Sequence, residues 1–390
     1  MNLRRLVTVV GVALAGVLLA GQVRQLLADP TVWPPDDFVE YWAAAKLARN
    51  GENPYDGAKL LPLQQAAGRD TNEPIMMWNP PWSLAVVLPL GWFPAREAQL
   101  LWLLANLAAI AFCGDRLWRM FGGSRESRWI GWAAALGFLP TLFALQSGQI
   151  GPLLLLGAVL FLECERRGWP MLAGASTLLL AVKPHMAYLV WVAILLKPAR
   201  KGDTGYPALL MILGGLVAGV FATLIAVAFD PAVLAQYMDA MANRPPSQWV
   251  SPTFGTVLRM AFGEDLFKLQ FVPVLAGLAW FAFHWKRHAA TWNWTEQLPL
   301  LLLVSFVTAP YGAWPFDMVL LLPAVVRLVV LRKPAILALL LAVNVACLAM
   351  NLLETGSFAF IWVSPAILAI YLLGTRPAAE PLAARNAVAA

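Results

Sequence analysis

Apolar runs of nearly membrane-spanning length recur from one end of this chain to the other, and no other feature restricts its fold as much. A helix needs about 20 mostly apolar residues to cross a bilayer, and only helices and closed barrels satisfy their own backbone there. Runs at 7–23, 207–228, 269–285, 298–310, 318–331, 336–353 and 358–373 meet or approach that length, with no low-complexity linker between them. Hydrophobic residues make up 60% of the 390 and charged ones 13%, too little polar material to cover a water-soluble surface. The chain therefore reads as one integral membrane domain over 1–390, not a soluble enzyme with an anchor. Run 7–23 follows Arg4-Arg5 and is expected to be a retained first span, since further spans follow it. The expected fold is all-α: a polytopic transmembrane helical bundle of roughly ten to thirteen membrane helices.

The net charge of +6 does not point to nucleic acid, because the basic residues sit in short clusters between apolar runs. Arg4-Arg5, Arg116 to Arg128, Arg166-Arg167, Lys197 to Lys201, Lys286-Arg287 and Arg332-Lys333 mark cytoplasmic loops by the positive-inside rule. The N-terminus and the tail 375–390 then lie in the cytoplasm, and loops 230–267, 311–317 and 354–357 lie outside. The first half threads less simply. Run 82–93 is short enough to be re-entrant, and 129–146, 150–162 and 170–196 (broken at Lys183-Pro184) read as short, hairpin-paired helices of the kind that line a cavity. Cys113, Cys164 and Cys347 have no metal-ligand spacing, and His284 and His288 flank basic residues without a carboxylate. No metal site and no cofactor is expected.

The long first loop, 28–80, has the most to say about function. Eight acidic residues (Asp29, Asp36, Asp37, Glu40, Glu52, Asp56, Asp70, Glu73) face four basic ones (Lys46, Arg49, Lys59, Arg69), which fits an external loop. Phe38, Tyr41, Trp42, Ala45 and Ala48 recur at helical spacing and predict a short amphipathic helix on the membrane surface, ending at Asn50-Gly51.

Five blocks resemble glycosyltransferase family 87, polytopic mannosyltransferase-like enzymes of the GT-C fold that use polyprenyl-phosphate sugars. They are DDFVEYWAAAKLARNGENPYD (36–56), NPPWSLAVVLPLGWFP (79–94), QSGQIGPLLLLG (146–157), LAGASTLLLAVKPHMAYL (172–189) and TAPYGAWPFDMVLLLPA (308–324), with a weaker SPTFGTVLRMAFG at 251–263. Many relatives carry a histidine in the late loop, whereas here the stretch 309–317 offers only Asp317 as a polar group of comparable reach. The resemblance implies a GT-C-like bundle in the inner membrane with its active site facing outward. It implies a polyprenyl-phosphate sugar donor and a lipid or envelope glycan acceptor.

In enzymes of this kind a catalytic Asp stands in the first external loop, and the matching residue is Asp37, with Asp36 beside it. A carboxylate there can take the proton of an acceptor hydroxyl as it attacks the anomeric carbon. The same Asp37-x-x-Glu40 spacing is that of a helix capping box, and the two roles are compatible. Lys183 interrupts an apolar stretch next to Pro184, and an ionisable group at that depth is a functional candidate, here for the donor phosphate, with His185 as neighbour. A snorkelling lysine is the plainer alternative. Arg244 and Arg259 are further phosphate candidates, although a lone loop arginine is usually just solvated. Tyr41, Tyr55, Asn79, Gln149 and Asp317 are candidates for the sugar or acceptor pocket. Gln149 equally suits the backbone of a broken helix, and the eighteen tryptophans are first of all interfacial anchors. A transporter or lipid flippase would also use broken helices and buried charges, but no second copy of the 36–56 block marks an internal repeat. A structural envelope partner would tolerate loss of Asp37 and Lys183.

Overall fold

The computed structural model describes residues 33–196, 206–243, 249–263 and 265–376, together with Gly21, Arg24 and Asp29. Run 7–23 (Gly21 apart), Arg244 and the tail beyond Arg376 lie outside the described residues. All regular structure among the described residues is helical. The helices that shape the site are α1 (Phe38–Arg49), α2 (Ala95–Met120), α3 (Arg128–Gly137), α4 (Leu139–Gln146), α5 (Pro170–Leu180), α6 (Tyr188–Leu196), α7 (Tyr206–Phe229) and α8 (Pro334–Leu352).

Five helices among the described residues are long and apolar enough to cross a membrane: α2, α7, Phe267–Thr291, α8 and Ser357–Gly374. The bent pair α3–α4 makes a sixth if it is one span. The expected ten to thirteen is not reached by this measure because several runs form helices too short to cross alone, such as Trp294–Val307 with 14 residues and α5 with 11. The outer face of α7 presents Leu209, Leu213, Leu216, Val220, Phe221 and Leu224, each 45% to 65% exposed. Apolar surface on that scale needs lipid rather than water as its solvent. Against its inner face, Gly174 of α5 meets the backbone of Met211 and Gly214 of α7 meets that of Met171. Each glycine sits where a side chain would collide, so two apolar helices pack at backbone distance.

The helix breaks are satisfied by side chains. Between α3 and α4 the axis turns by 62° at Phe138 and Pro140. There Asn344 of α8 accepts from Leu139 N (2.7 Å) and donates to Gly137 O (2.8 Å), so one amide replaces the lost helical bonds. Between α5 and α6 the chain breaks at Lys183-Pro184, as the sequence predicts, and a single turn Pro184–Met186 bridges the gap. The carbonyls freed at Ala181 and Val182 accept from Trp82 Nε1 (2.9 Å) and Asn79 Nδ2 (3.1 Å). Segment Pro81–Trp92 is thus a short apolar helix docked on this break.

Helix α1 ends as expected, with Asn50 as its C-cap and Gly51 at φ 71°. Its apolar face is covered by protein rather than left open to lipid. Ten of its twelve residues are buried, and Gly91 approaches so closely that a Cβ there would stand 2.8 Å from the Ala45 carbonyl. The run of alanines 43–45 gives α1 a smooth side on which other backbone can rest, so it packs as a core element and only its Lys46–Arg49 end reaches outward.

Candidate functional site

A turn, a helix start and a helix break converge. Gly148 adopts φ 69°, a left-handed conformation that glycine accepts without cost, and its missing side chain leaves room for Phe38, whose Cβ would lie 2.7 Å from one. Phe38 N donates to Ser147 O (3.1 Å), which fixes the turn on the first residue of α1. From α2, Trp102 Nε1 donates to Gly148 O (2.7 Å) and Asn106 Nδ2 to Gln149 O (3.3 Å). Gln149 is therefore held against Asp37.

Its side chain joins three groups. Gln149 Nε2 donates to Asp37 Oδ2 (2.7 Å), while its Oε1 accepts from Tyr41 OH (2.9 Å) and Lys183 Nζ (3.2 Å). Lys183 Nζ also meets Asp317 Oδ1 at 2.7 Å and lies 5.4 Å from the Phe316 ring centre. Lys183 is thus no snorkelling lysine. It is anchored between an amide and a carboxylate, with 13% of its side chain exposed.

Asp37 holds the N-cap position of α1 but makes no capping bond, because its carboxylate turns to Gln149 instead. The expected capping box does not form, and Glu40 turns away as well. Buried, it takes one long bond from Trp78 N (3.4 Å) and borders the same cavity as Asp37. Burial is the main cause that lifts the Asp37 carboxyl above its ordinary range, with Gln149 and Lys183 pulling it back. Burial also pushes Glu40 up to about 8, against the pull of Lys183, so it is protonated at neutral pH. Asp36 is exposed and lies outside the wall of that cavity. Partial desolvation, then the neighbouring Asp37, bring its carboxyl to about 6.

The cavity holds about 400 Å³ and is bordered by Asp37, Glu40, Asn79, Gln149, Lys183 and His185, with an aromatic wall of Trp78, Trp249, Tyr311 and Trp314. His185 stacks on Tyr311 at 4.8 Å between ring centres. Burial, then the Lys183 charge, lower its imidazole to about 3. It is neutral there, a hydrogen-bonding group rather than a second cation.

Of the residues proposed from sequence, Asp37, Asn79, Gln149, Lys183 and His185 border this cavity. Tyr41 stands behind Gln149. Tyr55 donates to Asn79 O (3.2 Å) and packs on Tyr237, one layer back. Asp317 is buried behind Lys183 and accepts from Trp314 N (3.3 Å) through its second oxygen. Arg259 is not in the cavity wall. It lies in Phe254–Phe262 with Nη1 3.5 Å from Trp249 O, supporting an aromatic that is. Sequence reading missed Glu40 as a cavity residue and took the tryptophans for anchors. Trp78, Trp249 and Trp314 fall within or beside the blocks at 79–94, 251–263 and 308–324, which was the available signal.

A second, apolar groove of about 520 Å³ runs between α5, α6 and α7. Ala181 and Trp82 border it, and Val182, the next residue, borders the polar cavity.

The family model for glycosyltransferase family 87 matches residues 78–310, which is 233 of the 390. Asn79, Gln149, Lys183 and His185 fall inside the match, whereas Asp36, Asp37 and Asp317 fall outside it. No curated protein and no solved structure matches the chain.

Proposed function

The chain belongs to glycosyltransferase family 87 and is a membrane glycosyltransferase, and from that premise we propose that it transfers a hexose, mannose being the first candidate, from a polyprenyl-phosphate donor to a lipid or envelope glycan. The reaction would take place on the outer face of the inner membrane. The observation that carries this reading is the Asp37–Gln149–Lys183 chain, which sets a carboxylate and an ammonium on the two sides of one amide at a cavity edge.

In a single displacement the acceptor oxygen bonds to the anomeric carbon as the bond from that carbon to the phosphate oxygen breaks. The acceptor proton passes to Asp37 and the electron pair leaves on the phosphate, so the anomeric centre inverts. A carboxylate with a raised pKa is a better base than a solvated one. The leaving phosphate gains charge, and Lys183 is the fixed cation beside it, with His185 as a neutral donor. Asp317 holds the ammonium in place. Protonated Glu40 adds no negative charge next to the phosphate and can donate to a sugar or phosphate oxygen. The apolar groove beginning at Ala181 supports a lipid carrier, because a prenyl chain can lie there while its phosphate reaches Lys183.

Reconstitution with radiolabelled polyprenyl-phosphate hexoses tests the reading. Wild type and Asp36→Asn are expected to transfer label and Asp37→Asn to lose it. Equal transfer by all three would remove Asp37 as the base.

A further inference from the structure

A third cavity, of about 430 Å³, adjoins the first on the far side of Asp37. Asp37, Phe316 and Ser357 border both, so the candidate base stands in the partition. Gln149 engages Asp37 Oδ2. No donor among the described residues engages Oδ1.

The two spaces differ in charge. The first has the Lys183 ammonium in its wall beside the neutral His185, whereas the described residues of the other wall include no Lys, Arg or His. Besides Asp37, its polar groups are the carboxylates of Asp36 and Glu354 and the neutral side chains of Gln146, Ser147, Asn351, Thr355 and Ser357. The edge-to-face pair Phe143–Phe360, 5.7 Å between centres, supplies an apolar face of the size of a pyranose ring. An anion entering here would meet carboxylates and no cation in the wall itself, the Arg69 charge reaching Asp36 and Asp37 from outside it. A displacement that inverts the anomeric centre needs its nucleophile opposite the leaving group, which places the acceptor away from Lys183.

Resting on the glycosyl-transfer reading above, we propose that this cavity is the acceptor site and that it takes an uncharged hexoside, with Asn351 and Gln146 binding its hydroxyls and Asp36 and Glu354 excluding acidic sugars. The hydroxyl nearest Asp37 gives its proton to that carboxylate as its oxygen bonds to the donor's anomeric carbon. The electron pair of the broken bond departs on the phosphate in the neighbouring cavity. Residues 350–357, which build one wall, lie beyond the part of the chain that the family model matches.

The test uses the full chain in lipid nanodiscs, a radiolabelled polyprenyl-phosphate hexose, and hexyl glucoside, mannoside, galactoside and glucuronide as acceptor probes. Wild type should transfer to at least one neutral hexoside and not to the glucuronide. Asn351→Ala and Gln146→Ala should each raise the acceptor KM about tenfold, with the donor KM held within about twofold, which also shows that the variants are folded. Glu354→Gln should admit the glucuronide. Unchanged acceptor KM in both alanine variants, or a glucuronide used by wild type as well as the hexosides, overturns the assignment. So does a donor that wild type hydrolyses while passing nothing to any hexoside, and each of these results leaves the donor chemistry standing. A donor not consumed at all, even by water, removes the underlying reading and the acceptor site with it.

Discussion

Lys183 and Asp317 lie 134 positions apart in the chain and meet at 2.7 Å, the ammonium seated in a helix break and the carboxylate almost wholly buried behind it. A buried pair of this kind contributes little net stability when both members are present, but removing one leaves an uncompensated charge.

The single variants Asp317→Asn and Lys183→Met are therefore each expected to lose about 3–5 kcal/mol of stability, while the double variant regains most of it. Thermal unfolding in detergent measures this. None of the three should transfer sugar at the wild-type rate. Additive losses in the double variant would mean that the two groups do not act as a pair.

The base should show in the pH profile. Asp37 works ionised, so transfer rises with pH through a folded pKa that burial has lifted above the usual carboxylate range, and falls as the group is protonated below it. At the alkaline end Glu40, pushed up to about 8 by burial, ionises and sets a new negative charge beside Lys183, so the donor KM is expected to rise there. Glu40→Gln keeps the neutral-pH form of the side chain. It is expected to retain most activity at pH 7 and to abolish the alkaline rise in KM, and an unchanged profile would remove Glu40 from the site.

Gly148→Ala should impair the enzyme without touching a polar group. An added Cβ meets Phe38 at 2.7 Å in a left-handed conformation that costs a non-glycine residue about 1–2 kcal/mol. Gln149 then shifts from Asp37, and the expected effect is a lower kcat with donor binding kept. Full activity would mean that the turn tolerates movement.

Asn344→Ala removes both bonds that close the α3–α4 bend. Loss of about 1–3 kcal/mol in thermal stability is expected, since a backbone donor and a backbone acceptor are left without their partner. Activity per folded molecule should change far less.

Parts of this arrangement were legible in the sequence for physical reasons. Lys183-Pro184 interrupts an apolar run, and a charge beside a missing amide hydrogen favours a helix break there. Asn50-Gly51 closes α1 because a left-handed turn needs such residues. Other parts were not. Helical spacing of Phe38, Tyr41, Trp42 and Ala45 shows that one face is apolar but not what covers it, so lipid was expected where Gly91 and its neighbours pack. Asp37-x-x-Glu40 has the spacing of a capping box, and only Gln149, 112 positions away, shows why the carboxylate turns elsewhere. The Lys183–Asp317 contact and the sharing of Asp37 between two cavities are likewise products of long-range packing, which no local pattern encodes.

The central claim, that Asp37 and Lys183 act on one lipid-borne phosphosugar, is tested most directly by measuring donor affinity and transfer side by side in the purified protein. Asp37→Asn is expected to bind the polyprenyl-phosphate hexose within about twofold of wild type while transfer falls about 10²–10⁴-fold. Lys183→Gln is expected to weaken donor binding by about tenfold or more. Donor affinity unchanged in Lys183→Gln, together with transfer retained in Asp37→Asn, would contradict it.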